Sequence, residues 1–136
     1  MIDEYNAIYF KKHPKARKPA IERPIPVSLN QYLVMRRPQQ NAIKQHWKDF
    51  ICYYCRKLGY DGLKLNKFEV EVAIYMPTRR RFDLDNHIAT SGKLIFDSMT
   101  ECGMIIDDDS LHLTKLSITG SVDRENPRTE LIIHTY

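Results

Sequence analysis

The sequence predicts an α+β fold: a small mixed sheet carrying two main helices within one domain. Three observations support this. One run alternates apolar and polar residues with period two, two longer stretches space their apolar residues as a helix does, and two further strand-like runs close the chain around a turn. Read in order, the elements are strand, helix, strand, helix, strand, strand. A chain of 136 residues can bury one core, and no second domain is expected.

Residues 1–20 read as a basic, irregular arm ("KKHPKARKPA"), and residues 21–136 as the single folded domain. A short edge strand is expected at its start, and the two prolines of "ERPIPVSLN" then mark a loop. Pro38 suits a first helical turn. Ile43, Trp47, Phe50, Ile51, Tyr54 and Leu58 follow on one helix face, and Gly59 stops it. "FEVEVAIYM" (68–76) is the plainest strand, with Phe68, Val70, Val72, Ile74 and Met76 on one side. A second helix is expected from about Asn86 to Cys102, capped by Asp85 or Asn86 and ended by Gly103, with Ile88, Ile95, Met99 and Cys102 on its inner face. Gly92 costs that helix about 1 kcal/mol relative to alanine, so a break is expected there. "LHLTKLSIT" reads as a strand whose alternation slips near Thr114 and Lys115, the mark of a bulge. "GSVDRENP" supplies a turn, and "RTELIIHTY" the last strand.

Composition narrows the class. With 43% hydrophobic and 28% charged residues the chain reads as an ordinary globular protein. It holds no apolar run near the ~20 residues of a membrane span, and "MIDEYNAIYFKK" lacks a signal peptide's apolar centre, so a cytoplasmic location is expected. A net charge of +4 permits nucleic-acid binding. The three cysteines are odd in number, which argues against a disulfide framework. Cys52 and Cys55 form one Cys-x-x-Cys inside a helical pattern with no second pair, short of the four ligands of a structural zinc site. They are expected to be reduced, largely buried thiols.

The chemistry concentrates in "RRRFDLDN" (79–86). If Asp83 to Asp85 continues as extended backbone, the two carboxylates point the same way with Cα atoms ~6–7 Å apart, and they can share one cation. On a helix the same spacing turns them ~200° apart, so the pairing requires a helix that begins at or after Asp85. "DDD" at 107–109 adds three carboxylates, provided the chain returns to the Asp85 end. Oxygen ligands of this kind select Mg²⁺ or Mn²⁺ over zinc. Beside them, Arg79, Arg80 and Arg81 suit a phosphodiester, whose oxygens bridge metal and guanidinium. An EF-hand is excluded, because Ile88 stands where its glycine belongs and His87 where an oxygen ligand belongs. His46, His87, His112 and His134 read as packing or surface residues, and Asp97 as structural.

These residues carry a resemblance. "RRRFDLDN" followed by "KLIFDSMTECGMIIDDDS" resembles the RusA family of Holliday junction resolvases, and "PVSLNQY" (26–32) and "NAIKQHW" are similar to that family's N-terminal segments. The likeness spans roughly residues 24–118. It implies a RusA-like, homodimeric, Mg²⁺-dependent endonuclease of DNA recombination and repair that resolves four-way DNA junctions by paired symmetric nicks. Mg²⁺ would activate a water for in-line attack, leaving 5′-phosphate and 3′-hydroxyl ends. By the same resemblance Asp83, Asp85 and Asp108 are the metal ligands, with Asp107 and Asp109 as neighbours in register for the third. Asp83, Asp85, Asp108 and Lys93 are then the catalytic residues: Lys93 matches the family's lysine, with the implied role of contacting the scissile phosphate or stabilising transition-state charge, and Asn30, Arg79, Arg80, Arg81 and Lys93 face the DNA. Two departures stand out. Lys93 lies eight residues after Asp85 where many members have four, a shift of ~6 Å and ~40° along a helix; and Phe82 occupies a position often held by arginine. The alternative is a non-catalytic junction-binding or regulatory protein with a vestigial acidic site.

Overall fold

The computed structural model describes residues 1–136. At its centre is strand β1 (Phe68–Met76), which pairs in parallel with β2 (Leu113–Val122) and antiparallel with β3 (Arg128–Thr135), giving the sheet order β2-β1-β3. The period-two alternation is realised. Phe68, Val70, Val72 and Ile74 lie in the core, each at most 1% exposed. Each such burial contributes about 1.5–3 kcal/mol, so the inner face of β1 is the main apolar anchor of the sheet. The expected bulge is present: the β1–β2 register slips between Phe68 and Glu69, so that Leu113 and Lys115 oppose neighbouring residues and Thr114 is the extra one.

The helices cover that inner face. Helix α1 spans Ile2–Lys12, α2 Leu29–Val34 and α3 Arg37–Lys57. Pro38 stands in the first turn of α3 as its fixed φ favours, and Gly59 follows the end with φ +77°. Trp47, Phe50 and Tyr54 pack from α3 into the core, whereas Leu58, expected on that face, is exposed. The second predicted helix begins at Leu84 and is continuous in three pieces: α4 (Leu84–Ser91), a π turn (Gly92–Phe96) and α5 (Asp97–Glu101). The break expected at Gly92 takes the form of that π turn, in which the Asp97 N–H donates to the Gly92 carbonyl. Ile95 and Met99 face the core as their spacing predicts, joined by Leu94 and Phe96. Gly103 ends the helix at φ +79°, with no room for a side chain: a Cβ there would stand 2.4 Å from the Asp61 carbonyl oxygen.

Three expectations are corrected. Residues 2–12 are a docked helix rather than an irregular arm. The Tyr5 ring meets Phe50 edge-on at 5.4 Å, the Tyr54 hydroxyl donates to the Met1 carbonyl (2.7 Å) and to Glu4 (2.9 Å), and Lys57 pairs with Glu4 at 2.7 Å. Apolar residues at 2, 5, 8 and 9 were hidden among charges, and α3 supplies aromatic partners for Tyr5 and Tyr9.

The short strand before "ERPIPVSLN" is absent. Prolines 19, 24 and 26 remove backbone donors, and the buried Ile21 is instead held by the Asn6 side chain, which donates to its carbonyl (2.8 Å) and accepts from its N–H (3.0 Å). Part of the expected loop is α2, whose start is a reciprocal cap. The Gln31 N–H donates to the Ser28 hydroxyl (3.3 Å), and the Ser28 N–H to the Gln31 side chain (3.2 Å).

The third correction concerns the thiols. Cys52 of α3 and Cys102 at the end of α5 form a disulfide with Cα atoms 5.4 Å apart, and Cys55 alone is a buried free thiol. Helix α3 packs along α5, and that packing, rather than sequence spacing, brings the two sulfurs together. No helix is long and apolar enough to cross a membrane.

Candidate functional site

The segment from Arg79 to Asp83 follows β1 after a bend at Pro77 and Thr78, belongs to no regular element and enters α4. Arg79, Arg80, Arg81, Phe82, Asp83 and Leu84 line an open groove of about 410 Å³ together with Gly120, Ser121 and Val122 at the end of β2. All three arginines and Asp83 are exposed. Phe82 anchors the segment: its ring packs edge-on to the buried His87 at 5.5 Å and leans over Gly120, where a Cβ would meet it at 2.7 Å. The aromatic residue at this position is therefore a packing element.

Asp83, with φ −90° and ψ 120°, is the N-cap residue of α4. This corrects the expected cap at Asp85 or Asn86. Asp85 lies inside the first turn, so the two carboxylates are not the i, i+2 pair of an extended strand. Asn86 joins them instead. Its side-chain amide donates to Asp83 at 3.4 Å, and its backbone N–H donates to the Asp85 carboxylate at 3.0 Å. The helix N-terminus favours both negative charges. His87, expected to be a packing residue, is one: buried, with Nδ1 3.2 Å from the Pro26 carbonyl oxygen. Desolvation holds its imidazole below the ordinary histidine range.

The third acid does not join this pair within one chain. Because β1 and β2 run parallel, the connection from α5 returns to the start of the sheet: the Phe68 N–H donates to the His112 carbonyl, and Leu65 bridges Ile105. Asp109 accepts from the Leu113 N–H through its carbonyl, whereas Asp83 borders Gly120, seven strand residues further on. That separation is about 23 Å along β2. The acidic run also divides internally. Asp109 is engaged in a turn and pairs with His112 at 2.6 Å, which holds its carboxyl below the usual carboxylate range. Asp108 is pushed up by burial, by its hydrogen bond with Asp107 and by the charge of Asp97. Asp97 is therefore a neighbour of Asp107 and Asp108, a proximity that sequence spacing did not reveal. No three Asp, Glu, His or Cys side chains are arranged to hold a metal ion within the chain.

Lys93 is exposed in the π turn and forms no ion pair with Asp83 or Asp85. It lies eight residues after Asp85, about 12 Å along the axis. Its amine sits 5.9 Å from the centroid of the Tyr32 ring. Asn30 is exposed on the first turn of α2, the helix that packs against α4. The remaining histidines are surface or packing residues as expected: His46 meets Tyr9 edge-on at 5.5 Å, and His134 lies 3.1 Å from Glu71. No family model matches this chain, and no curated protein matches it.

Asp83 and Asp85 suit Mg²⁺ by their donor chemistry. They are two accessible hard-oxygen ligands, and such ions are commonly held by one or two carboxylates together with substrate phosphates. The arginines beside them supply the charge that would hold those phosphates.

Proposed function

We propose that this protein is a Mg²⁺-dependent, structure-specific DNA endonuclease acting on four-way junctions, as its resemblance to the RusA resolvases implies. The observation that carries the reading is the groove in which three unpaired arginines and Asp83 stand together, with Asp85 two residues on in the first turn of α4. Arg79, Arg80 and Arg81 hold and orient the phosphodiester, Asp83 and Asp85 hold the metal, and Asn86 fixes both carboxylates. Mg²⁺, when bound, supplies Lewis-acid stabilisation of the phosphorane-like charge and an acidified water. Manganese, of similar ligand preference, is expected to substitute.

The parallel β1–β2 pairing supports a homodimer as the working form. It separates Asp83 and Asp85 from Asp107 and Asp108, so a site that uses the acidic loop as well as the groove needs that loop from a second copy. A two-fold assembly that places the start of one sheet against the end of the other would complete two equivalent sites. Each would then stand over one of two symmetric strands.

The test is cleavage of a synthetic four-way junction, each strand labelled in turn, by wild type and by Asp83→Asn in Mg²⁺ and in Ca²⁺. Symmetric nicks that need Mg²⁺ and vanish in the variant, with junction binding retained in Ca²⁺, are expected. The divided acidic set favours one other reading, a junction-binding protein whose carboxylates no longer assemble. Tight binding without nicks in any divalent ion would establish that reading instead.

A further inference from the structure

We propose that the seam where α2, the first half of α3 and the π turn meet is a second contact for the nucleic-acid backbone, with Lys44 and Lys93 as its phosphate-binding residues. The proposal rests on the reading of this protein as a DNA-binding enzyme and extends it to a surface away from the Asp83 groove.

The seam is built around Tyr32, which is 3% exposed. Two ammonium groups flank its ring: Lys44 of α3 at 6.0 Å and Lys93 of the π turn at 5.9 Å from the centroid. Both lysines are exposed, and neither has a carboxylate partner. On the same helix, by contrast, Lys48 is paired with Glu101 and Lys57 with Glu4, each at 2.7 Å. Two cations gathered about one ring without a counter-charge leave the seam positively charged, and an anion bound there would offset that charge.

The stripe of α3 that carries Lys44 is held in place. Gln40, one turn earlier, donates to the Tyr32 carbonyl at 2.8 Å. Arg37 lies seven residues before Lys44, so the two fall within ~20° on the helix surface. Arg37 also stands at the start of α3, whose first turn has no acidic residue although the helix dipole favours one there. The seam thus presents Arg37, Lys44 and Lys93 without an acid among them.

The ligand chemistry follows from what is exposed. Tyr32 is buried, so its ring is not available to stack on a base, and the accessible groups are cations alone. They would take phosphate oxygens and read no sequence. Lys93 stands about 12 Å from Asp85 along the helix axis, which corresponds to roughly three to four nucleotides of duplex rise. A strand whose scissile phosphate lies at Asp83 and Asp85 therefore has later phosphates within reach of the seam. Placing Lys93 in the π turn assigns it to these phosphates rather than to the reacting one.

The experiment measures the dissociation constant of a four-way junction against salt concentration, in Ca²⁺ to prevent cleavage. It compares wild type with Lys44→Gln, the Lys44→Gln/Lys93→Gln double variant, Lys44→Arg and Lys48→Gln. Replacing Lys44 should reduce the slope of log Kd against log salt by about 1, and the double variant should reduce it by about 2, equally on junctions of unrelated sequence. Lys44→Arg should keep the wild-type slope, and so should Lys48→Gln, whose cation is already paired. Thermal midpoints close to wild type would show that the variants are folded. Wild-type slopes in both glutamine variants would overturn the seam and leave the endonuclease reading standing. No binding of DNA by the wild type would overturn both, whereas reduced slopes in a protein that never cuts would uphold the seam and refute the enzyme.

Discussion

Breaking the Cys52–Cys102 disulfide should cost this protein a large part of its stability. The bridge joins residues 50 apart in sequence, from the C-terminal part of α3 to the end of α5. In the chain-entropy treatment, a closed loop of that length removes enough freedom from the unfolded chain to contribute about 4 kcal/mol at 25 °C. For a chain of this size the unfolding entropy is about 0.3 kcal/mol per kelvin, so the midpoint should fall by about 14 °C. Phe50 of α3, Leu94 of the π turn and Met99 of α5 would remain in the common core, so a cooperative but lowered transition is expected rather than loss of fold. The assay is thermal denaturation of the oxidised protein, of the reduced protein and of Cys102→Ser, together with a count of reactive thiols in denaturant without reductant. One thiol, that of Cys55, is expected before reduction and three after. Three thiols before reduction would show that the bridge does not form. A single thiol with midpoints equal within a degree or two would refute the entropic argument itself.

Other expectations follow from single residues. Gly103→Ala would hold a non-glycine residue at φ +79°, which costs about 1–3 kcal/mol, and would drive its Cβ into the Asp61 carbonyl; urea denaturation should show a loss of at least about 2 kcal/mol. The Tyr54 phenol is pushed up to about 12, first by burial and then by its hydrogen bond to Glu4. An acid whose folded value is raised contributes stability that is full below its unfolded value, near 10, and is lost as pH rises toward 12. Denaturation midpoints should therefore fall more steeply over that alkaline window in wild type than in Tyr54→Phe, and equal slopes would show that Tyr54 ionises as freely as in the unfolded chain.

Much of the architecture could be read from local pattern. Alternation located β1 to the residue, because one face of that strand is buried from Phe68 to Ile74 and a polar residue there would be expelled. Gly92, Gly103 and the slip at Thr114 announced a helix break, a helix end and a bulge, since each is a constraint on a single stretch of backbone. Helix α2 was also legible, through a Ser-x-x-Gln cap that the neighbouring prolines obscured. Helix α1 was not, for its apolar residues are diluted by charge and become a face only against Phe50 and Tyr53.

The acidic residues divide in the same way. Their identities and the arginines beside Asp83 are properties of residue type, and the sequence alone determined them. Which of them share space was decided by the parallel pairing of β1 and β2, which sends the Asp83 groove and the Asp107–Asp108 loop to opposite ends of the sheet. The tertiary structure likewise chose Cys102 as the partner of Cys52 and set Lys93 and Lys44 each near Tyr32. Strand direction and helix packing join residues far apart in the chain, and no periodicity within a short window carries that information.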